Sequence, residues 1–135
     1  MMLKLITLSI SLVFSALFYQ QIDPQLEESK KRGKVIYEEF CVTCHRADGS
    51  GFGKLYPPLA KSDYLLNKRE ASIRAVKYGL QGEIVVNGQS YNKKMDPLGL
   101  TNEEVTDVMN YILYSWGNST DKKVTLIEVE AVSKS

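Results

Sequence analysis

Both cysteines and the only histidine of this 135-residue chain fall within five consecutive positions, Cys41-Val42-Thr43-Cys44-His45. That clustering restricts what the chain can build before any other feature is read. A structural zinc site needs four ligands, and two Cys with one His do not supply them. A thioredoxin-like C-x-x-C needs a βαβ setting, whereas this motif follows a helical stretch and precedes a glycine-rich loop. A simple disulfide between Cys41 and Cys44 stays open in an oxidising compartment. C-x-x-C-H is also the haem c attachment pattern, and its spacing has a physical basis. Two thiols on one helical turn can add to the two vinyl groups of haem, while the next residue projects its imidazole onto the iron. A chance occurrence in a chain of this length has a probability on the order of one in a thousand.

The length suits one domain and little more. Seventeen Lys and Arg against 16 Asp and Glu give a formal charge of +1, which excludes a strongly basic nucleic-acid binder. Lys4 precedes a mostly apolar run over residues 5–19, 15 residues long and short for a membrane span. This reads as a signal peptide over residues 1–20, with an uncleaved anchor as the alternative and the only route to a membrane. The expected compartment is the periplasm.

From Asp23 onward the pattern is helical with one extended excursion. Asp23 caps a helix, Pro24 takes its first position and Glu27 and Glu28 its first turn, so a helix is expected to about Phe40. Its apolar positions are Val35, Ile36, Tyr37 and Phe40. Gly33 shares a face with Tyr37, and a glycine inside a helix costs about 1 kcal/mol against alanine, so close approach of another backbone is expected there. Residues 46–58 read as loop. Asn67 with Glu70 predicts a capping box opening a helix with Ile73, Val76 and Leu80 on one face, ended by Gly79. Asn87-Gly88 between β-branched and aromatic residues predicts a hairpin over residues 84–91. Thr101 and Glu104 predict a second capping box, with Val105, Val108, Met109, Ile112 and Trp116 on the apolar face of a helix that Gly117 stops. The domain is expected over residues 24–117, followed by a polar tail over 118–135 whose apolar patch lies at 124–129.

If His45 is one axial ligand, the sixth position on the iron decides between electron transfer and ligand chemistry. The chain has no second histidine, and Met1 and Met2 fall in the signal segment. Met109 lies on an apolar helix face and reads as core. Met95 lies in the polar stretch Tyr91-Asn92-Lys93-Lys94-Met95-Asp96-Pro97, 50 residues past His45, which is ample chain to return on the far side of a haem. Met95 is therefore the expected ligand. A thioether is soft and donates weakly, so it favours ferrous iron, and two filled axial positions leave outer-sphere electron transfer.

On these residues the chain resembles a class I c-type cytochrome, in particular the small bacterial cytochrome c domains that serve periplasmic reductases, quinoprotein dehydrogenases and terminal oxidases. The resemblance covers about residues 30–117. It implies an all-α cytochrome c fold, about three to five helices around one covalently bound haem and its iron, with the small hairpin at 84–91 typical of the bacterial subgroup. Gly33, Tyr37 and Cys41 match the family's first helix, whose glycine lets the first and last helices cross; Val108 and Tyr111 look like the matching positions on the last. The family's proline carbonyl, which accepts a hydrogen bond from the ligand imidazole, resembles Pro57 or Pro58. Tyr91 and Asn92 complete the implied haem surround. Two features depart from the family pattern: Asp96 intervenes between Met95 and Pro97 where Met-Pro is common, and Tyr37 stands where Phe is common, so its hydroxyl needs a partner.

The resulting expectation is a monomeric periplasmic electron carrier with His45 and Met95 as axial ligands and Cys41 and Cys44 as thioethers, working between redox partner proteins. The alternatives are a haem c enzyme or gas-binding sensor with an open sixth site, and a dithiol or metal-binding protein without haem. Arg46, Lys54, Lys93 and Lys94 either form a positive rim at the haem edge or are ordinary solvated charges. At about 115 residues the exported chain buries little surface by itself, so a haem is expected to complete its core.

Overall fold

A computed structural model of the protein describes residues 23–134, and the proposed signal segment lies outside the described residues. Six helices and one hairpin follow in order: α1 (Pro24–Phe40), α2 (Val42–His45), α3 (Asp63–Asn67), α4 (Arg69–Tyr78), β1 (Ile84–Val86), β2 (Gln89–Tyr91), α5 (Asn102–Leu113) and α6 (Leu126–Ala131). The helices beyond the expected three to five are short ones of four to six residues, α2, α3 and α6. No helix among the described residues is long and apolar enough to cross a membrane.

Helix α1 starts where its sequence marks a start. The Asp23 carboxylate accepts from the N–H groups of Gln25 and Leu26, and Pro24 occupies the first turn, where a missing N–H costs nothing. The helix packs along α5. At the crossing, a Cβ on Gly33 would sit 2.0 Å from the carbonyl oxygen of Asp107 and 2.9 Å from Cβ of Tyr111, so only glycine fits. The partners of Gly33 are thus Asp107 and Tyr111, while Val108 is fully buried in the core. Next to the crossing, the rings of Tyr37, Tyr111 and Trp116 meet with centroids 5.0 to 5.6 Å apart. The Tyr37 hydroxyl donates to the Arg46 carbonyl at 2.6 Å, which supplies the partner that a buried phenol needs. Val35 is 63% exposed and does not join the apolar face.

Helix α5 carries both halves of its capping box: Thr101 accepts from the Glu104 N–H, and Glu104 accepts from the Thr101 N–H. Such a cap is worth about 1 kcal/mol. The helix ends at Leu113, earlier than the expected stop at Gly117. Its last carbonyls are taken by other groups: Ser115 donates to Tyr111 and the Asn118 amide donates to Ile112. Trp116 therefore lies beyond the helix, at φ 52°, with its indole N–H donating to Ala47.

The capping box expected at Asn67 and Glu70 does not form. Ser62 starts a helix earlier by accepting from the Leu65 N–H, so Asn67 becomes the last residue of α3. The chain kinks at Lys68 (φ −120°, ψ 55°), α4 begins without a side-chain cap, and Glu70 pairs with Arg74 instead. Gly79 ends α4 as expected. The hairpin also forms as expected: Ile84 pairs with Tyr91 and Val86 with Gln89, around Asn87 and Gly88 at φ 50° and 78°. Residues 46–58 are irregular after α2, apart from an isolated bridge between Phe52 and Tyr56.

The tail is part of the fold. Val124, Val129 and Val132 join the core, and Arg69 holds the tail by pairing with Glu128 and donating to the carbonyls of Lys122 and Lys123. Asn110 exchanges two hydrogen bonds with the backbone of Val124.

Candidate functional site

Cys41 ends α1 by donating its N–H to Tyr37, and α2 then presents Cys44 and His45 on a single turn. The motif opens onto a cleft with two continuous halves. The inner half is lined by apolar side chains from the segment before α3 and from α3, α4, β1 and α5: Leu59, Leu65, Ala75, Val76, Val86, Met109 and Ile112. The outer half is bounded by Phe40, Cys44, Tyr56, Tyr91, Lys93, Lys94, Asp96 and Leu98. Cys41, His45, Pro57, Leu80, Ile84 and Met95 line both halves.

The His45 imidazole is fixed from behind. Its Nδ1 lies 2.9 Å from the Pro57 carbonyl oxygen, and since a carbonyl only accepts, Nδ1 carries the proton. The tautomer leaves the Nε2 lone pair free for a metal. Burial lowers the imidazole pKa, opposed by the hydrogen bond to Pro57, and so favours the neutral form that can ligate. Burial likewise pushes the Cys41 thiol up to about 11, with Cys44 adding to the effect, so Cys41 stays a protonated thiol. Both cysteines are free, and no cluster of three or more His, Cys, Asp or Glu among the described residues could hold a metal ion. This donor set suits a macrocycle that brings its own four nitrogens, with thiols at its edge and an imidazole on one face.

Met95 is half-buried on the wall of the same cleft. Of the two candidate prolines, Pro57 makes the contact to His45, while Pro58 lines only the inner half. Tyr91 is buried at the outer half, whereas Asn92 is exposed and lines neither half. Lys93 and Lys94 stand at the cleft mouth; Lys94 pairs with Asp96, and Arg46 lies over the Phe52 ring, 5.2 Å from its centroid. Met109 is fully buried, as a core residue should be, and also lines the inner cleft. Sequence reasoning did not place Val76 and Leu80 in the site. Val76 shares a side of α4 with Ile73, and that side divides between the core, which takes Ile73, and the cleft, whereas Leu80 lies past the end of the helix and reaches the cleft wall beside its backbone partner Met95.

Helices wrapped around an apolar cleft, with paired thiols and an oriented imidazole on its wall, define a haem-binding redox protein. The sequence matches the cytochrome c family over residues 30–116, and the chain belongs to that family, whose members carry covalently attached haem c with its iron and transfer electrons. It is 39% identical over 97 residues to cytochrome c-552 of Thermus thermophilus, a match covering 68% of this chain and 72% of the relative. It is also 29% identical over 101 residues to the cytochrome c subunit of the quinone alcohol dehydrogenase of Gluconacetobacter polyoxogenes, covering 72% of this chain and 21% of that one. The cytochrome c subunit of gluconate 2-dehydrogenase from Pantoea cypripedii is 30% identical over 113 residues, with 79% and 25% covered. The chain thus spans about a fifth to a quarter of the two dehydrogenase subunits.

Proposed function

We propose that the protein is a single-haem electron carrier of the periplasm, with Cys41 and Cys44 as the thioether residues and His45 and Met95 as the axial ligands. The observation that carries this reading is the placement of His45 and Met95 on the wall of one apolar cleft, with His45 locked by Pro57. Bound haem supplies a one-electron Fe(II)/Fe(III) couple. The chain's own groups set the conditions for it. Pro57 holds the imidazole in the tautomer that donates through Nε2. The Met95 sulfur would serve as the second protein ligand to the iron and would keep exogenous ligands away from it. The apolar lining from Leu65 to Ile112 excludes water, which limits solvent reorganisation when charge changes. Phe40, Cys44 and Tyr91 leave the outer half of the cleft as the edge through which electrons pass. The protein is then no enzyme itself, and acts as a monomer that passes electrons to or from an oxidoreductase such as a dehydrogenase, reductase or terminal oxidase.

The test is denaturing electrophoresis with haem staining, together with the intact mass of protein exported in cells that mature c-type cytochromes. One haem should survive denaturation and be lost in Cys41→Ala/Cys44→Ala, with a mass lacking about the first 20 residues. A chain without covalent haem contradicts the attachment. A mass that includes residues 1–20 contradicts the soluble periplasmic form.

A further inference from the structure

The strand of chain that carries Met95 is held at Met95 itself. Over residues 92–100, the two backbone bonds to the rest of the described chain both belong to this residue: Leu80 N–H donates to the Met95 carbonyl at 2.8 Å, and Met95 N–H donates to the Leu80 carbonyl at 2.9 Å. The pairing begins immediately after α4. Gly79 closes that helix by donating to Ala75 and turns out of it at φ 81°, ψ 175°, a conformation open essentially to glycine alone. The turn also brings two backbones together, because a Cβ on Gly79 would lie 2.6 Å from the Met95 carbonyl oxygen and 2.9 Å from the Pro97 nitrogen. Both are main-chain atoms and cannot swing aside as a side chain would. There is no slack between the helix that lines the inner cleft through Ser72, Ala75 and Val76 and the residue on the cleft wall.

We infer that Gly79 is a positioning residue for the sixth ligand: by letting the Leu80–Met95 pairing close against the end of α4, it sets how firmly the Met95 sulfur is held on the iron. The inference rests on the reading of Met95 as that ligand. Gly51 also combines a positive φ with backbone crowding, but against Tyr56 and Pro57 and not against the Met95 segment. Gly82, three residues past Gly79, has φ 99° but no atom within 4 Å of an added Cβ. Gly82→Ala therefore imposes the backbone strain without the collision and serves as the control.

The experiment is a titration of the ferric holoprotein with imidazole, followed by the methionine-sulfur-to-iron charge-transfer band. Imidazole competes only when Met95 is off, so its apparent affinity reports the detached fraction, and Gly79→Ala should tighten binding about tenfold. Gly82→Ala should leave it unchanged. In a Met95→Ala background no sulfur competes, and adding Gly79→Ala should then change nothing. Thermal melts accompany each protein to confirm that it is folded. Should Gly79→Ala fail to load haem, Pro97→Ala, which only loosens the contact over Gly79, decides the matter by a smaller tightening in the same direction. If Met95→Ala retains the band, the ligand reading fails. If Met95→Ala abolishes the band but neither Gly79→Ala nor Pro97→Ala tightens imidazole binding, or Gly79→Ala tightens it equally without Met95, the positioning role is overturned.

Discussion

The α-carbon of Gly33 faces the Asp107 carbonyl so closely that an added Cβ would lie 2.0 Å from its oxygen. The contact sits between a stack of three aromatic rings and a buried polar group in which Ser29 and Arg32 both donate to Asp107. Neither side can move without breaking the other. Gly33→Ala should therefore destabilise the holoprotein by about 3 kcal/mol, the upper range for forcing an extra methyl into a packed interface. Denaturant unfolding checks this, and a loss below about 1 kcal/mol would mean that the helices slide apart freely.

The cleft cuts into the middle of the apolar core, with Met109 and Ile112 of α5 on its wall and Val105 and Val108, on the same apolar face, buried in the core beside them. A chain of this size has little core to spare. Cys41→Ala/Cys44→Ala should be largely unfolded. Its far-UV circular dichroism should lose most of the helical signal, and a native-like spectrum with a cooperative melt would show that the helices stand without the cofactor.

Two ion pairs clamp the tail, Lys123 to Asp23 and Arg69 to Glu128, and the second is the bidentate one. Arg69 donates to both carboxylate oxygens of Glu128 and holds that carboxyl below the ordinary glutamate value of 4.5. A depressed folded pKa adds stability that is fully present above the unfolded value and disappears as pH falls through the folded one. Glu128→Gln should thus lower stability by about 1 kcal/mol near neutral pH, an allowance that respects the pair's partial exposure. The gap between wild type and variant should close in acid below about pH 4.5. Melting temperatures of both proteins from pH 7 to pH 3 test this, and a gap independent of pH would assign the loss to packing.

At the cleft mouth Lys94 is tied to Asp96, whereas Lys93 has no carboxylate partner among the described residues. Reduction by anionic hexacyanoferrate should therefore slow as salt is added, and Lys93→Glu should slow it about threefold at low ionic strength. Stopped-flow rates that ignore both salt and this substitution would make the lysines plain surface charge.

What could be read directly from the sequence was what is decided locally. Asp23 with Pro24, Thr101 with Glu104 and the Asn87-Gly88 turn each carry their own hydrogen-bonding logic within a few residues, and α1, α5 and the hairpin formed where those signals stand. Asn67 carried a similar signal and failed, because Ser62 had already captured the start of the preceding helix and Lys68 kinked the chain. Helix α5 ends before Gly117 because Asn118 reaches back to cap it, and a returning side chain leaves no periodic trace. The tail helix depends on Arg69 and Asn110, both distant in sequence. C-x-x-C-H announced the site, and the resemblance brought out Pro57. The seating of Met95 on Leu80 is a pairing of two backbones with no side-chain pattern to betray it.

The central claim is that Met95 and His45 share one iron. The near-infrared spectrum of the ferric holoprotein, recorded for wild type and Met95→Ala, tests it most directly. The account predicts a sulfur-to-iron charge-transfer band in wild type that vanishes in the variant while covalent haem is retained. A band that persists without Met95, or a wild type that lacks it, would contradict the account.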